Sequence, residues 1–380
     1  SNINSGIASS LIYGASLGGR CRYDLGLFEV DERSALRVYP YLKPDYMLIT
    51  NLSRDSIMRN AHPEYIRDIL TKYIPKETKL ILNADDLICC GIAPENPRVY
   101  FGIEKMDTDV TDCVNLINDL QICPQCHRRL EYEYRRYNHI GRAYCPHCGF
   151  KAPAYDYAGC HVDLDKMRID VRDAAGIGHY RLLNESIFNI YNVVSAVTVL
   201  REIGYSHAQI EAFFAKLNIV GSRYDAETIG SRTLYRLLAK EKNAFATTRV
   251  FDYISGLAGD KEIILMNSCQ GDMKHWSENT CWLYDCDFEF LNQDNIKNIV
   301  LCGPRRFDHK LRLLLAGVPE EKLSFAERET DAPDKLRLFA NDQIYVLYGT
   351  DSIVLGKKVA DQVRMLLIAK NKEEGEADEN

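Results

Sequence analysis

Short apolar runs alternate with polar segments along the first half of the chain. Four of these runs have the length and the composition of buried parallel strands: Asp24–Val30, Tyr46–Asn51, Lys79–Asn83 and Arg98–Ile103. Residues His62–Tyr73 instead repeat their apolar positions with the period of a helix. Further along, Glu185–Ile203 predicts a long helix, and Ser206–Leu217 predicts a second helix with a serine N-cap. The pattern indicates an α/β fold with a parallel sheet.

A second alternation of helices and strands begins after residue 222. Its predicted elements, in chain order, are helix Asn243–Leu257, strand Glu262–Asn267, strand Asn298–Cys302, helix Arg306–Ala316, strand Gln343–Gly349 and helix Ser352–Ile368. We therefore predict a first α/β domain over residues 1–222 and a second one over residues 223–370. An acidic tail over residues 371–380 is predicted to be disordered.

The composition is that of an ordinary globular protein. Of the 380 residues, 46% are hydrophobic and 27% are charged, which excludes disordered, collagen-like and coiled-coil chains. No apolar run approaches the roughly 18 residues of a membrane span, and no signal peptide opens the chain, so we expect a cytoplasmic location. The net charge is −7, and the last nine residues carry five acids against one base. The nearly neutral remainder argues against nucleic acid as a partner.

Four of the thirteen cysteines stand in two tight pairs, and the other nine are scattered. Cys123-Pro-Gln-Cys126 and Cys145-Pro-His-Cys148 are separated by eighteen residues, which is the spacing of a zinc site. Each pair can place two thiolates on one tetrahedral cation. Because four cysteines leave no open coordination position, we predict a structural zinc ion rather than a catalytic one.

The segment between the two pairs, Glu131–Tyr144, is rich in Tyr and Arg and predicts a small β-ribbon, inserted into the first domain over residues 121–152. Its arginines allow two interpretations: they could bind RNA, or they could form the solvated rim of a stabilising insertion, which we favour. The arginines in question are Arg128, Arg129, Arg135, Arg136 and Arg142.

Polar clusters follow three of the predicted strands. Glu29, with Asp31 and Glu32, lies at the end of the first run; Asn51 follows the second, and Asn83-Ala-Asp85-Asp86 ends the third. Carboxylates at such positions can hold Mg²⁺ at the carboxyl edge of an α/β sheet, although a solvated strand end has the same composition. Three successive clusters favour one common crevice.

These clusters, in this order, resemble the central domain of the Mur ligases. The motifs are Glu29-Val-Asp31-Glu32, Thr50-Asn51-Leu with Arg54-Asp55 after it, Leu82-Asn83-Ala-Asp85-Asp86, and Asn189-Ile-Tyr-Asn192. Within that family, a four-cysteine ribbon in this domain resembles the MurT subunits. The second domain is similar too, in Trp282-Leu-Tyr-Asp285-Cys-Asp287-Phe-Glu289 and Cys302-Gly303-Pro-Arg305-Arg306. The resemblance covers nearly the whole chain.

One element of the family is missing. Mur ligases carry a Gly-rich phosphate loop that ends in Gly-Lys-Thr and leads into a helix, and this sequence has no such loop. Residues Ser1–Gly18 resemble the segment on the C-terminal side of that helix. Either the chain is a fragment or the domain has lost the loop, and we favour the fragment. We expect these 380 residues alone to bind ATP poorly.

The resemblance implies an ATP-dependent carbon–nitrogen ligase of peptidoglycan biosynthesis. MurT is the synthetase subunit of lipid II isoglutaminyl synthase, and its partner in the heterodimer is the glutamine amidotransferase GatD. ATP phosphorylates the α-carboxylate of D-glutamate in the lipid II stem peptide, and ammonia from the partner converts it to D-isoglutamine. Lipid II would also be the protein's contact with the membrane surface.

The resemblance also assigns residues to this reaction. Glu29 becomes the Mg²⁺ ligand, with Asp31 and Glu32 beside it. The remaining assignments are Asn51, Arg54 and Asp55 in the reaction crevice, Asn83 at the cofactor, Asn189 and Asn192 at the adenine, Arg223 at a phosphate, and Lys240 or Lys242 at the nucleotide or the carboxylate.

The family's second domain supplies an acid that orients the partner's catalytic histidine, as in a triad. Asp285 is the first choice because it follows the predicted strand that contains Trp282, while Asp287 and Asp272 remain open. Two other functions also remain open. The chain could be another Mur-type amide ligase without an ammonia-supplying partner, or a non-catalytic binding module that carries a zinc ribbon.

Overall fold

The computed structural model describes residues 2–54, 62–217, 224–239, 243–266, 280–339 and 342–378. The chain divides into two compact units, one formed by residues 1–53 and 61–218 and the other by residues 54–60 and 219–380. This division lies close to the boundary at residue 222 that the sequence pattern indicates. No helix in the described ranges is both long and apolar enough to cross a membrane.

The first unit contains eight described strands. They are β1 (Tyr46–Ile49), β2 (Lys79–Asn83), β3 (Arg98–Ile103), β4 (Glu131–Tyr137), β5 (Ile140–Tyr144), β6 (Tyr157–Asp163), β7 (Arg168–Asp173) and β8 (Gly176–Arg181). Six of them form one sheet in the order β1-β2-β3-β6-β7-β8, and β4 and β5 form a separate two-stranded sheet. The first four strands of the sheet are parallel, while β7 and β8 are antiparallel additions.

Six described helices belong to this unit: α1 (Asn4–Tyr13), α2 (Ala35–Val38), α3 (Pro63–Tyr73), α4 (Leu87–Cys90), α5 (Ile187–Glu202) and α6 (His207–Ala215). Ile66 and Leu70 of α3 share a buried cluster with Leu80 and Leu82 of β2. Helix α5 packs on β2, β3 and β6, so closely that a Cβ atom on Gly159 would lie 2.8 Å from a methyl group of Val194. Cover by helices explains why β2 is an apolar run rather than an alternating one.

Most predicted elements of this unit are confirmed, with one clear error. The apolar runs at β1, β2 and β3 are parallel strands, α3 and α5 are helices, and α6 has Ser206 as its N-cap in a capping box. The run Asp24–Val30 is not a strand, and most of it is exposed, Leu27 almost fully. It pairs with no described strand, so its apolar residues are not explained by burial within a sheet.

The second unit contains a six-stranded sheet with helices on both faces. Its described strands are β9 (Tyr224–Ile229), β10 (Arg232–Leu238), β11 (Lys261–Leu265), β12 (Ile296–Cys302), β13 (Leu323–Ala326) and β14 (Gln343–Tyr348), in the order β13-β12-β11-β14-β10-β9. Its described helices are α7 (Ala244–Gly256), α8 (Trp282–Asp285), α9 (Arg306–Leu315) and α10 (Ile353–Asp378). All strand pairs are parallel except β9 with β10. The second α/β domain is thereby confirmed.

Helix α10 continues into the acidic segment for which disorder was predicted. Its apolar residues Val359, Val363 and Leu367 pack on one face of the sheet. Near its end, both carboxylate oxygens of Glu374 accept hydrogen bonds of 2.8 Å from the buried guanidinium of Arg232. This bidentate pair ties the beginning of the acidic segment to β10.

Candidate functional site

The carboxyl ends of β1 and β2 meet at one edge of the first sheet. The Asn83 side chain donates a hydrogen bond of 2.9 Å to the carbonyl of Thr50, and the backbone N–H of Leu52 donates one of 2.7 Å to Asp86. Two of the three predicted polar clusters therefore lie together at the edge where open α/β sheets bind ligands.

Asp85 is the centre of this edge. Its carboxylate is fully buried and accepts hydrogen bonds from four groups in four different segments. These donors are Tyr155 Oη at 2.5 Å, Tyr191 Oη at 2.7 Å, Arg136 Nη1 at 3.0 Å and the Ile103 N–H at 3.1 Å. Burial first, and then the charge of Asp85, raise the pKa of both tyrosines, so the two hydroxyls keep their protons and donate.

Arg136 is the cation that compensates this buried charge. It comes from β4 of the ribbon, and its side chain is 1% exposed. Besides Asp85 it contacts Asp109 at 3.1 Å and donates to the carbonyls of Ile103 and Glu104. A buried ion pair is stable only when its remaining hydrogen-bonding groups are also satisfied, and most of those of Arg136 are.

Asp86, the next residue, fixes two further segments. One oxygen caps α4 through the N–H groups of Ile88 and Cys89, and lies 3.3 Å from Nε2 of the buried His139. The other oxygen accepts the Leu52 N–H. Burial works to raise the pKa of Asp86, but the charge of His139 and these hydrogen bonds outweigh it and lower the pKa.

The Glu29 cluster lies elsewhere in the unit than the sequence pattern indicated. Because residues Asp24–Val30 form no strand, Glu29 does not stand at a strand end. Its carboxylate is exposed, 3.4 Å from the Asn2 side chain. Asp31 caps a short 3₁₀ turn that begins at Glu32. The structural argument for this cluster as a strand-end site is therefore wrong.

The asparagines predicted for the crevice and the adenine site, Asn51, Asn189 and Asn192, lie at or near the surface of the unit. Asn51 is half-buried and contacts Thr50 and Ser53. On α5, Asn192 is exposed, and Asn189 donates to the carbonyl of Asn184.

The four cysteines of the two predicted pairs converge at the base of the ribbon. Their sulfur atoms all lie within 4.8 Å of one another, with Cys123 3.6 Å from Cys148 and Cys126 3.5 Å from Cys145. Zn–S bonds of about 2.3 Å in a tetrahedron separate the sulfurs by about 3.8 Å, so the spacing fits one zinc ion. The donor set, four thiol sulfurs, is one that zinc prefers.

Each pair sits in a turn of the same shape. The N–H of His127 donates to the carbonyl of Cys123, and the N–H of Gly149 donates to the carbonyl of Cys145. Both donors have positive φ, +58° and +75°, which glycine adopts without strain. The repeat of this turn at both pairs indicates a metal-binding knuckle.

The arginines of the ribbon divide into two groups. Arg135 and Arg136 are buried, and Arg142 donates to the carbonyl of Pro153 and lies over the ring of Tyr155. Only Arg128 and Arg129 are exposed. Three of the five arginines therefore serve the interior of the unit, which removes most of the basis for an RNA-binding ribbon.

Comparisons with known proteins agree with this geometry. Residues 241–350 match the family described as MurT ligase C-terminal. The lipid II isoglutaminyl synthase (glutamine-hydrolyzing) subunit MurT of Staphylococcus aureus (strain COL) is 28% identical over 321 residues, which cover 83% of this chain and 70% of the relative. The subunit of that name from Streptococcus pneumoniae (strain ATCC BAA-255 / R6) is 28% identical over 329 residues, or 85% and 71% of the two chains. The chain is thus similar to MurT subunits over most of its length.

Solved structures show the same fold. A pseudomurein peptide ligase type C from Methanothermus fervidus aligns with a TM-score of 0.62 at 17% identity, and MurF from Acinetobacter baumannii aligns with 0.51 at 13% identity. The alignments cover 87% and 84% of this chain. The chain spans 65% of the length of the first structure and 60% of the second. The predicted Mur ligase fold is thereby confirmed.

The MurT C-terminal match includes the segment of Asp285 and Asp287. The predicted strand there is wrong, since Trp282–Asp285 is the short helix α8. Asp285 lies at its end with a side chain 31% exposed, and Arg54, which belongs to the same unit, lies 3.3 Å from it. Asp287 is 3% exposed, and its backbone N–H donates a hydrogen bond to the hydroxyl of Thr248. Of these two acids, Asp285 is the accessible one.

Several predicted MurT-like site residues lie outside the described residues. They are Asp55, Arg223, Lys240, Lys242 and Asp272.

Sequence reasoning missed the residues that organise the sheet edge of the first unit. Tyr155, Tyr191 and His139 were not singled out, and Arg136 was considered only as a surface arginine. The available signal was the unusual density of Tyr and Arg in the ribbon. It could not reveal that Tyr155, Tyr191 and Arg136 bind Asp85, which lies 51 residues before Arg136, or that His139 lies against Asp86.

Proposed function

We propose that the chain is the synthetase part of a MurT-type lipid II isoglutaminyl synthase. The α-carboxylate of D-glutamate in the lipid II stem peptide attacks the γ-phosphorus of ATP, which forms an acyl phosphate and releases ADP. Ammonia then attacks the acyl carbon and phosphate leaves, so the carboxylate becomes an amide. A GatD-type glutaminase supplies the ammonia.

The observation that carries this proposal is the likeness to MurT along most of the chain, which includes both units. The polar edge of the first sheet adds independent support, because a Mur-type reaction needs a crevice at the carboxyl ends of parallel strands. The four-cysteine cluster agrees with it as well. We assign zinc to this cluster, with a structural role, since all four positions of the ion are taken by protein sulfurs.

Side chains near the ends of β1 and β2 form the substrate side of the crevice. Asn51 lines it in this proposal, and Asn83 holds the segment of Asn51 through its bond to the Thr50 carbonyl. Arg54 and Asp55, which follow in the sequence, are assigned to the reaction by resemblance. A guanidinium such as that of Arg54 would compensate negative charge on the transferring phosphoryl group. The exposed carboxylates of Glu29 and Glu32, with the half-buried Asp31 between them, would hold Mg²⁺ with ATP.

The nucleotide side is assigned on resemblance alone. Asn192 is exposed on α5, where its amide can meet a purine edge, and Asn189 lies one turn earlier on the same helix. Arg223 and Lys240 complete the phosphate contacts in this proposal.

Asp285 is the acid that we assign to the partner's triad. It is half-exposed, whereas Asp287 is too buried to reach another protein. Replacement of Asp285 by Asn should abolish glutamine hydrolysis by the complex while ATP-dependent activation with free ammonia persists. The exposed Asp294, replaced in the same way, is the matched control. Unchanged glutaminase activity in the Asp285→Asn complex would remove this assignment.

The proposal as a whole is tested with the full reading frame that encodes this chain, co-produced with a GatD-type glutaminase. Supplied with lipid II, ATP and glutamine, the complex should form ADP and an amidated stem peptide, detected by mass spectrometry. Glu29→Ala should abolish both products and leave the complex intact on size-exclusion chromatography. ADP formation without amidation would indicate a different Mur-type ligase, and neither product would refute the ligase proposal.

A further inference from the structure

The zinc-site ribbon touches the sheet edge with the end that carries no cysteine. Its turn, between β4 and β5, lies on the loop after β2. The N–H of Gly141 donates 2.8 Å to the carbonyl of Asp85, Arg136 binds the Asp85 carboxylate, and Nε2 of His139 lies 3.3 Å from Asp86. An insertion that only stabilised itself would have no need of buried charged contacts at this end.

We propose that the ribbon is a positioning element for the proposed reaction crevice, with Arg136 and His139 as its positioning residues. This inference rests on the proposed function, because it assigns a purpose to the edge at which that reaction would occur. The ribbon holds the loop after β2, and this loop in turn holds the loop after β1, where Asn51 lies.

The first link is the pair Asp85 and Asp86. Both carboxylates are fully buried, and the ribbon provides a cation to one and an imidazole to the other. Removal of either ribbon side chain leaves a buried carboxylate without that compensation, which favours movement of the loop toward water.

The second link leads from this loop to the loop after β1. Asp86 accepts the N–H of Leu52, and Asn83 donates to the carbonyl of Thr50. These two hydrogen bonds hold the residues immediately before and after Asn51. Displacement of residues 83–86 therefore moves the backbone on which Asn51 is placed.

The third link leads back to the metal site. Strand β5 ends at Tyr144, directly before Cys145, and its five residues span about 17 Å between the turn and the cysteines. Leu87 of α4 packs into the buried cluster of the ribbon together with Cys123, Leu130 and Cys145. A metal ion that fixes the cysteine turns thus also fixes the surface against which α4, capped by Asp86, is packed.

Hydrogen–deuterium exchange of the zinc-loaded chain tests this coupling without reference to catalysis. Cys148→Ser removes an exposed ligand and should lower the zinc content. We expect the amides of Leu52, Ile88 and Cys89 to exchange at least tenfold faster in this variant, while those of Leu80–Leu82 in the centre of β2 stay protected. Cys21→Ser, an exposed cysteine outside the cluster, is the control and should match the wild type in both respects.

His139→Gln provides a second, milder test because it retains all four cysteines. It should accelerate exchange at Leu52 with an unchanged zinc content, and Glu133→Gln, exposed on the same ribbon, should not. In the complete ligase, His139→Gln should lower kcat at least fivefold with little change in KM for ATP, and Arg136→Lys should retain more kcat than Arg136→Met.

The outcomes separate this inference from the proposed function. Faster exchange confined to residues 121–152 in both variants would overturn the positioning role, whatever the complete protein catalyses. Coupled exchange at Leu52 in a protein that never amidates lipid II would support the link and refute the proposed reaction.

Discussion

Asp85 in the first unit and Asp342 in the second are both buried aspartates, 0% and 1% exposed, but they have opposite surroundings. Asp85 accepts hydrogen bonds from two tyrosines, an arginine and a backbone N–H. Neither carboxylate oxygen of Asp342 accepts a hydrogen bond of normal geometry from the described residues, although the backbone N–H of Phe339 acts to lower its pKa. Burial, and then the charge of nearby Glu262, raise the pKa of Asp342 to about 6.

The comparison shows that hydrogen-bond donors, rather than burial alone, determine whether a buried carboxylate organises its surroundings or costs stability. Glu262 makes the same point within the second unit, since it is fully buried and accepts hydrogen bonds from Asn298, Arg337 and Leu338. We infer that Asp85 and Glu262 organise their surroundings, whereas Asp342 costs stability when it is ionised.

The strongest test of this contrast removes the cation of Asp85. Arg136→Met should lower the free energy of unfolding of the first unit by about 3–5 kcal/mol, because it leaves Asp85 and Asp109 as buried charges without compensation. Urea denaturation monitored by circular dichroism measures the loss. Arg129→Met, at an exposed position of the same ribbon, should change stability by less than about 0.5 kcal/mol. Equal effects of the two substitutions would contradict the role given to Arg136.

A smaller effect is expected when one neutral donor is removed. Tyr155→Phe deletes the hydroxyl that lies 2.5 Å from Asp85 and should cost about 1.5–3 kcal/mol, the range for a hydrogen bond to a charged group. Tyr65→Phe on the exposed side of α3 is the control for loss of a hydroxyl as such. If both variants unfold at the wild-type urea concentration, Asp85 does not depend on this donor.

The smallest effect, of opposite sign, is expected at Asp342. The pKa of Asp342 is higher in the folded protein than in the unfolded chain, so the wild type loses stability as the pH rises from about 4 through about 6. Asp342→Asn lacks this ionisation. Its melting temperature should therefore exceed that of the wild type at pH 7.5, and the difference should shrink toward pH 4.

Glu262→Gln serves as the matched control in that pH series. It should melt below the wild type at pH 7.5, since one of its oxygens is replaced by an NH₂ group that faces hydrogen-bond donors. A stabilising Glu262→Gln, or a destabilising Asp342→Asn, would show that hydrogen-bond donors do not distinguish these two sites.

The sequence allowed prediction of the features that are local. The spacing of the cysteine pairs was enough to predict that the four cysteines converge, because each pair forms its own turn. The apolar runs at β1, β2 and β3 were recognisable because helices cover the sheet that they form. The same criterion was wrong for Asp24–Val30, where apolar residues stand on an exposed segment.

The sequence did not reveal features that depend on distant contacts. Strands β6 to β10 and β13 were missed, although Gly230-Ser231 between β9 and β10 is a hairpin signal that could have been used. The carboxylate of Asp85 looked like a candidate for a crevice, but four distant segments enclose it. Which acid faces a ligand and which is buried is decided by the fold as a whole.

In the proposed reaction, this protein makes an amide from the stem-peptide carboxylate with nitrogen from glutamine. The most direct test supplies the complex of the full-length protein and its glutaminase with lipid II, ATP and glutamine labelled with heavy nitrogen in its side-chain amide. We expect the label to appear in the α-amide of D-isoglutamine, and only when ATP and both proteins are present. A stem peptide that stays unlabelled while ATP is consumed would contradict the claim.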